Sequence, residues 1–335
     1  MKKYITYLGF LLALIFTSCK TSDGSSEAIT ENTSEENEEV NTEFQFNRIP
    51  EAEKTAIENG GTLQLLSYTT EDAAGNKLEK EAYVYVPAGY DDSEKYDIAY
   101  VMHGGGGDIS ILIGTPENPT SLKNAIDHQI ENGDLEPMLL VFPSFYPNGP
   151  DGVGMDQVGE LTYQFQTELK NGLIPAVESN YSTYANSTSA TDLAASRDHR
   201  LFTGFSMGSV TTWYAFAENL DYFKYFAPVS GDCWALQMMG GARQPDETAN
   251  YLADAVEQQN YSAEDFYVFA VTGTEDIAYE NLSPQIASMR NLEVFNYGLD
   301  REENNLYYLE IEDAVHTNEW YFEYVYNFLP FFFGK

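Results

Sequence analysis

The stretch Leu201-Phe202-Thr203-Gly204-Phe205-Ser206-Met207-Gly208-Ser209 decides how this chain is read. Its first three residues favour a strand, and from residue 209 to 219 the apolar spacing becomes helical. Gly-x-Ser-x-Gly therefore occupies a strand-to-helix corner. Glycines at 204 and 208 let the chain turn where a Cβ would strike neighbouring strands. The turn leaves the Ser206 hydroxyl exposed at a helix N-terminus, where the dipole favours developing negative charge. In this setting the pentapeptide predicts a nucleophile elbow on an α/β sheet.

A serine hydroxyl is a weak nucleophile and needs a base. The chain has four histidines, at 103, 128, 199 and 316. His199 stands seven residues before Ser206, at the far end of the strand leading to it, and is out of reach. His128 falls in a helical pattern over 121–132 and reads as a surface side chain. His103 opens His103-Gly104-Gly105-Gly106-Gly107 directly after a strand, where it would order the loop. His316 remains, between a strand ending near 311 and the last helix, in the chain order Ser, acid, His.

The imidazole needs a carboxylate to fix its tautomer. The strand at 266–272 is followed by Gly273-Thr274-Glu275-Asp276, so Asp276 is the first choice; Asp232, in Ser230-Gly231-Asp232 after the strand at 225–229, is the second. A tetrahedral oxyanion needs N–H donors worth about 3–4 kcal/mol each. The Met207 amide supplies one, and Gly104 or Gly105 the other. As a phosphate cradle the glycine run fails, because no Gly-Lys-Ser/Thr follows it. No H-x-H or H-E-x-x-H spacing exists, so neither a metal nor a cofactor is expected.

Working outward, strand-length apolar runs at 82–86, 97–102, 138–143, 201–203, 225–229, 266–272 and 306–311 alternate with helical patterns at 121–132, 160–180, 209–219, 249–259, 283–291 and 318–329. That alternation predicts an α/β fold with a mostly parallel central sheet and helices on both faces. Runs at 62–69 and 81–86 have no helix between them and should open the sheet as an antiparallel pair. Residues 47–335 make one domain. The aromatic stretch 320–333 reads as a last helix packed on the sheet.

Residues 1–19 read as a lipoprotein-type signal peptide: Lys2 and Lys3, then a short apolar run ending in Phe16-Thr17-Ser18-Cys19, with Cys19 the lipidation site. Residues 20–46, rich in Ser, Thr, Asn and Glu, read as an acidic disordered tether. The chain is thus expected to be exported and to meet a membrane only through a lipid anchor. With 53 acidic and 17 basic side chains among 335 residues, the formal charge is −36. Such a surface repels phosphate and excludes nucleic-acid binding, and it suits a protein acting on neutral polymers. Two cysteines, one at the end of the leader, build no disulfide framework.

Tyr83-Val84-Tyr85-Val86-Pro87-Ala88-Gly89-Tyr90, Met102-His103-Gly104-Gly105-Gly106-Gly107-Asp108, Glu178-Ser179-Asn180-Tyr181, Arg197-Asp198-His199-Arg200 and Gly204-Phe205-Ser206-Met207-Gly208 together resemble the esterase D-like α/β-hydrolases. Within them, residues 60–335 are most similar to carbohydrate esterase family one, the feruloyl and acetyl xylan esterases. The resemblance implies Ser206 as nucleophile, Asp276 as acid and His316 as base. Many members carry glycines just before the histidine, where this chain has Asp313-Ala314-Val315. The implied activity is an exported serine esterase removing feruloyl or acetyl groups from xylan or xylo-oligosaccharide through an acyl-enzyme. Trp213, Trp234 and Tyr146 are candidates to stack on an aromatic acyl ring or a sugar face. Residues 148–159 would form a mobile flap, and Cys233 a small semi-buried residue. The rivals are a siderophore esterase, another acyl hydrolase or acyltransferase on the same fold, and a non-catalytic glycan-binding lipoprotein.

Overall fold

Fully apolar strands demand cover on both sides, and that requirement organises the computed structural model, which describes residues 43–71 and 75–334. The leader, Cys19 and the tether up to residue 42 lie outside the described residues. Strands β1 (Thr62–Glu71) and β2 (Lys77–Val86) form an antiparallel hairpin. The other strands of the main sheet are β3 (Ile98–Met102), β4 (Leu139–Phe142), β5 (Arg200–Phe205), β6 (Tyr225–Val229), β7 (Tyr267–Gly273) and β8 (Leu306–Ile311). They lie in the order β1-β2-β4-β3-β5-β6-β7-β8, parallel from β4 onward.

Period-two alternation divides the core between the sheet's faces. Ile98, Tyr100 and Met102 of β3 join one apolar cluster, and Ala99 and Val101 the other. Helices α1 (Ser121–Asn132) and α9 (Asn318–Phe333) cover the second face. The first face is covered by α2 (Met155–Glu168), α3 (Ile174–Asn180), α4 (Ala190–Ala195), α5 (Met207–Glu218), α7 (Pro245–Gln258) and α8 (Tyr279–Met289), with the short α6 (Gly240–Arg243) between α5 and α7. The parallel strands all point their C-terminal ends, Met102, Phe205, Val229, Gly273 and Ile311, toward one edge, where ligands bind in open α/β sheets.

Several boundaries differ from the sequence reading: α7 and α8 each begin four residues before the patterns at 249–259 and 283–291. The helix expected at 160–180 starts at Met155 and runs through a π turn, Leu169–Leu173, into α3. Asp156 favours the helix start, and the Gly154 amide donates to the Gln157 side chain, so residues 155–159 of the segment expected as a flap are helical. The tether ends before residue 46. Phe44 packs edge-on against Phe269 and Phe331, with ring centroids 4.9 and 6.0 Å away, Phe46 lies against Tyr324, and the Asn47 amide donates to Asn327 Oδ1 at 2.8 Å. Two phenylalanines in a polar run bury more favourably on α9 than in water. Among the described residues, no helix is long and apolar enough to cross a membrane.

Candidate active site

The corner after β5 places Ser206 at φ 57° and ψ −113°, and α5 starts at the next residue. Its two glycines are sterically required. A Cβ on Gly204 would lie 2.3 Å from the Gly208 carbonyl oxygen, and one on Gly208 would lie 2.5 Å from that of Met102. β5 and its neighbour β3 thus come close enough to hold the serine in a conformation that a residue with a Cβ rarely adopts.

Loops after β7 and β8 bring the other two residues to this corner. His316 Nε2 lies 2.9 Å from Ser206 Oγ, and His316 Nδ1 lies 2.7 Å from Asp276 Oδ1. Because a carboxylate only accepts, Nδ1 carries the hydrogen and Nε2 is left to accept from the serine hydroxyl. Asp276 is buried, and its Oδ1 also accepts from the Ala278 amide. Just before the histidine, Asp313 takes the left-handed conformation, φ 59°, with its amide donating to Thr274 Oγ1. That bond ties the two loops together.

The alternative residues are engaged elsewhere. His199 Nδ1 pairs with Asp97 Oδ1 at 2.6 Å, and His128 Nε2 meets the Thr55 carbonyl at 3.1 Å. Asp232 accepts from the Trp234 indole and the Gly241 amide. Burial raises its pKa above the usual carboxylate range, against those two donors.

His103 is buried at the head of the glycine run, between the Gly104 carbonyl and Ser144 Oγ, 2.7 and 2.8 Å from its two nitrogens. Since the carbonyl accepts, Nδ1 bears the hydrogen and Ser144 donates to Nε2. Loss of hydration pushes the imidazole pKa down to about 4, so it is neutral near pH 7. Tyr146 stacks on this ring, and its hydroxyl accepts the Gly106 amide at 2.9 Å. The Gly107 amide goes to the Gly104 carbonyl. Gly105 stands beside Met207, whose Cγ would be 3.3 Å from a Cβ at that position. Of the two candidate glycines, Gly105 lines the cleft described next.

That cleft, about 510 Å³, opens at Ser206 and is walled by Val153, Met155, Val158, Trp234, Met238 and Ile277, with Tyr146 and Met239 at its margin. Ile277 is 78% exposed, and Met155, Met238 and Met239 are also exposed, an apolar rim left open to solvent. Trp234 lies in the cleft as the sequence suggested. Trp213 does not: it is 1% exposed on α5, with its indole donating to the Gly231 carbonyl, and belongs to the core. Tyr146 is 3% exposed, so its main engagement is with the glycine run. Cys233 is fully buried, and its thiol pKa is pushed up to about 12. The rim methionines escaped the sequence reading. Their one signal was the adjacent pair Met238-Met239 in a segment after a strand end.

Residues 76–325 match the Esterase family model. Endo-1,4-beta-xylanase Y of Acetivibrio thermocellus is 39% identical over 292 residues; the match covers 87% of this chain and 25% of that protein, so the chain spans about a quarter of its relative's length. Among solved structures, a serine-to-alanine mutant of the feruloyl esterase module from Clostridium thermocellum, complexed with sinapinate, is 38% identical with a TM-score of 0.74, covering 87% of this chain and 94% of that one. A ferulic acid esterase from Anaeromyces mucronatus, at 19% identity and TM-score 0.59 over 86% and 97% of the two chains, shares the fold.

Proposed function

The chain is an enzyme that belongs to the Esterase family and has the α/β-hydrolase fold, and from that premise we propose that it removes feruloyl groups from xylan or its oligosaccharides. The observation that carries this reading is the apolar cleft opening at Ser206. A flat aromatic acid can fill it against Trp234 and the methionines, burying both ring faces, whereas an acetyl group would leave most of it empty. The feruloyl esterase module of the clostridial relative, complexed with sinapinate, supports the same acyl class. Among the described residues no lysine or arginine lines the cleft, which disfavours acids carrying a second anionic group.

The mechanism proposed for this chain starts with transfer of the Ser206 proton to His316 Nε2 as Oγ attacks the ester carbonyl. Asp276 stabilises the resulting imidazolium, and the Met207 and Gly105 amides receive the oxyanion. His316 returns the proton to the leaving alcohol oxygen. Water, deprotonated by the same imidazole, then releases the acid. The 2.9 and 2.7 Å contacts support these roles and weigh against a glycan-binding protein without catalysis. Export and lipidation of Cys19 are part of the proposal and rest on residues 1–19 alone.

Methyl ferulate and methyl acetate, which share one leaving group, offered to the purified protein test it. We expect kcat/KM to favour the ferulate ester at least tenfold, and Ser206→Ala to abolish both activities. A preference for acetate would overturn the acyl assignment, and turnover surviving in Ser206→Ala would overturn the nucleophile.

A further inference from the structure

A second depression, about 430 Å³, reaches Ser206 beside the apolar cleft. The glycine run 104–107, Ile111, Phe205, Thr317, Asn318 and Glu319 line it, and of the described residues only Gly105, Gly106, Ser206 and His316 line both. An ester carbon attacked by Ser206 must sit at that junction. Its acyl and alcohol portions then extend to different sides. If the apolar cleft takes the acyl ring, the alcohol falls into the second depression.

We propose that Ile111, Asn318 and Glu319 are the residues that hold the alcohol portion of the ester in this depression and set the preference for it, an inference that rests on the esterase reading above. The leaving oxygen has to be within hydrogen-bond reach of His316 Nε2 to receive its proton. The next residues in the chain, Thr317–Glu319, therefore wall the space that the rest of the alcohol occupies. Neither the Asn318 amide nor the Glu319 carboxylate bonds to another described residue, so both are available to vicinal hydroxyls. Ile111, 44% exposed across the depression, offers an apolar surface to the C–H face of a sugar ring. Among the described residues no cationic side chain lines this side, and with Glu319 present an anionic alcohol is rejected.

The test compares kcat/KM for a feruloylated arabinoxylan oligosaccharide with that for methyl ferulate, in the full-length protein and its variants. In wild type the oligosaccharide should be preferred. Asn318→Ala/Glu319→Ala should lower the ratio of the two values at least fivefold, mainly through KM for the oligosaccharide, and Ile111→Ala should act in the same direction. Trp234→Ala, on the acyl side, should lower both values together and leave the ratio within twofold of wild type. A ratio that the double variant does not move, or that Trp234→Ala moves as much, overturns the subsite while leaving the esterase reading intact. Failure of the wild-type protein on both esters overturns the esterase reading and the subsite with it.

Discussion

Ser206 holds a backbone conformation that costs a residue with a Cβ about 1–3 kcal/mol, and the cost is met because Gly204 and Gly208 let the surrounding strands close on it. Glycine at 206 would relieve that strain and lose about 0.5–1 kcal/mol to greater freedom of the unfolded chain. Ser206→Gly is therefore expected to be inactive yet about 1 kcal/mol more stable than Ser206→Ala, as read by urea unfolding of the two variants. A glycine variant about 0.5–1 kcal/mol less stable than the alanine variant would show that the elbow stores no strain. At this scale the sequence was informative for Ser206, Asp276 and His316, because proton transfer admits few residue types and the fold fixes their chain order. It was uninformative for Trp213, since the direction of an aromatic on a helix apolar all round depends on packing.

Among the elements, the glycine run after β3 depends on a buried, neutral histidine. His103 has a pKa of about 4 in the folded protein against 6.5 ordinarily, so the unfolded chain takes up its proton more readily. Its contribution to stability is complete above about pH 6.5 and falls as the pH drops toward 4. By linkage the loss amounts to about 3 kcal/mol at pH 4. Urea unfolding at pH 7 and pH 4 should show His103→Asn losing about 3 kcal/mol less than wild type over that interval. An identical pH dependence would place the acid sensitivity in other groups. Ser144 connects this loop to a buried ion pair: its hydroxyl holds His103, and its carbonyl accepts from Lys80, which pairs with Glu168 at 2.9 Å at the end of α2. Sequence placed the glycine run correctly but gave no sign of this chain of contacts. Lys80 and Glu168 stand 88 residues apart and meet only because β2 and α2 pack together.

The whole molecule carries 53 acids against 17 bases, and among the described residues no lysine or arginine lines either depression at Ser206. The summed field therefore repels anionic esters and leaves neutral ones unaffected. Between 10 and 500 mM NaCl, kcat/KM for methyl ferulate should stay within twofold, while that for a feruloyl ester of an anionic alcohol should rise severalfold as the repulsion is screened. Parallel salt profiles for the two esters would remove surface charge as a determinant of selection.

The sequence by itself determined the alternation of the main-sheet strands with the longer helices, the elbow and the three residues that meet there; the short α4 and α6 it did not show. Hydrophobic periodicity is local, and a Gly-x-Ser-x-Gly corner is compatible with little else. Only the tertiary structure decided which aromatics face the cleft, that Phe44 and Phe46 belong to the domain, and that two depressions of different polarity join at one serine. Those features arise where segments far apart in the chain come together, and side-chain direction across such contacts is set by packing rather than by any spacing along the sequence.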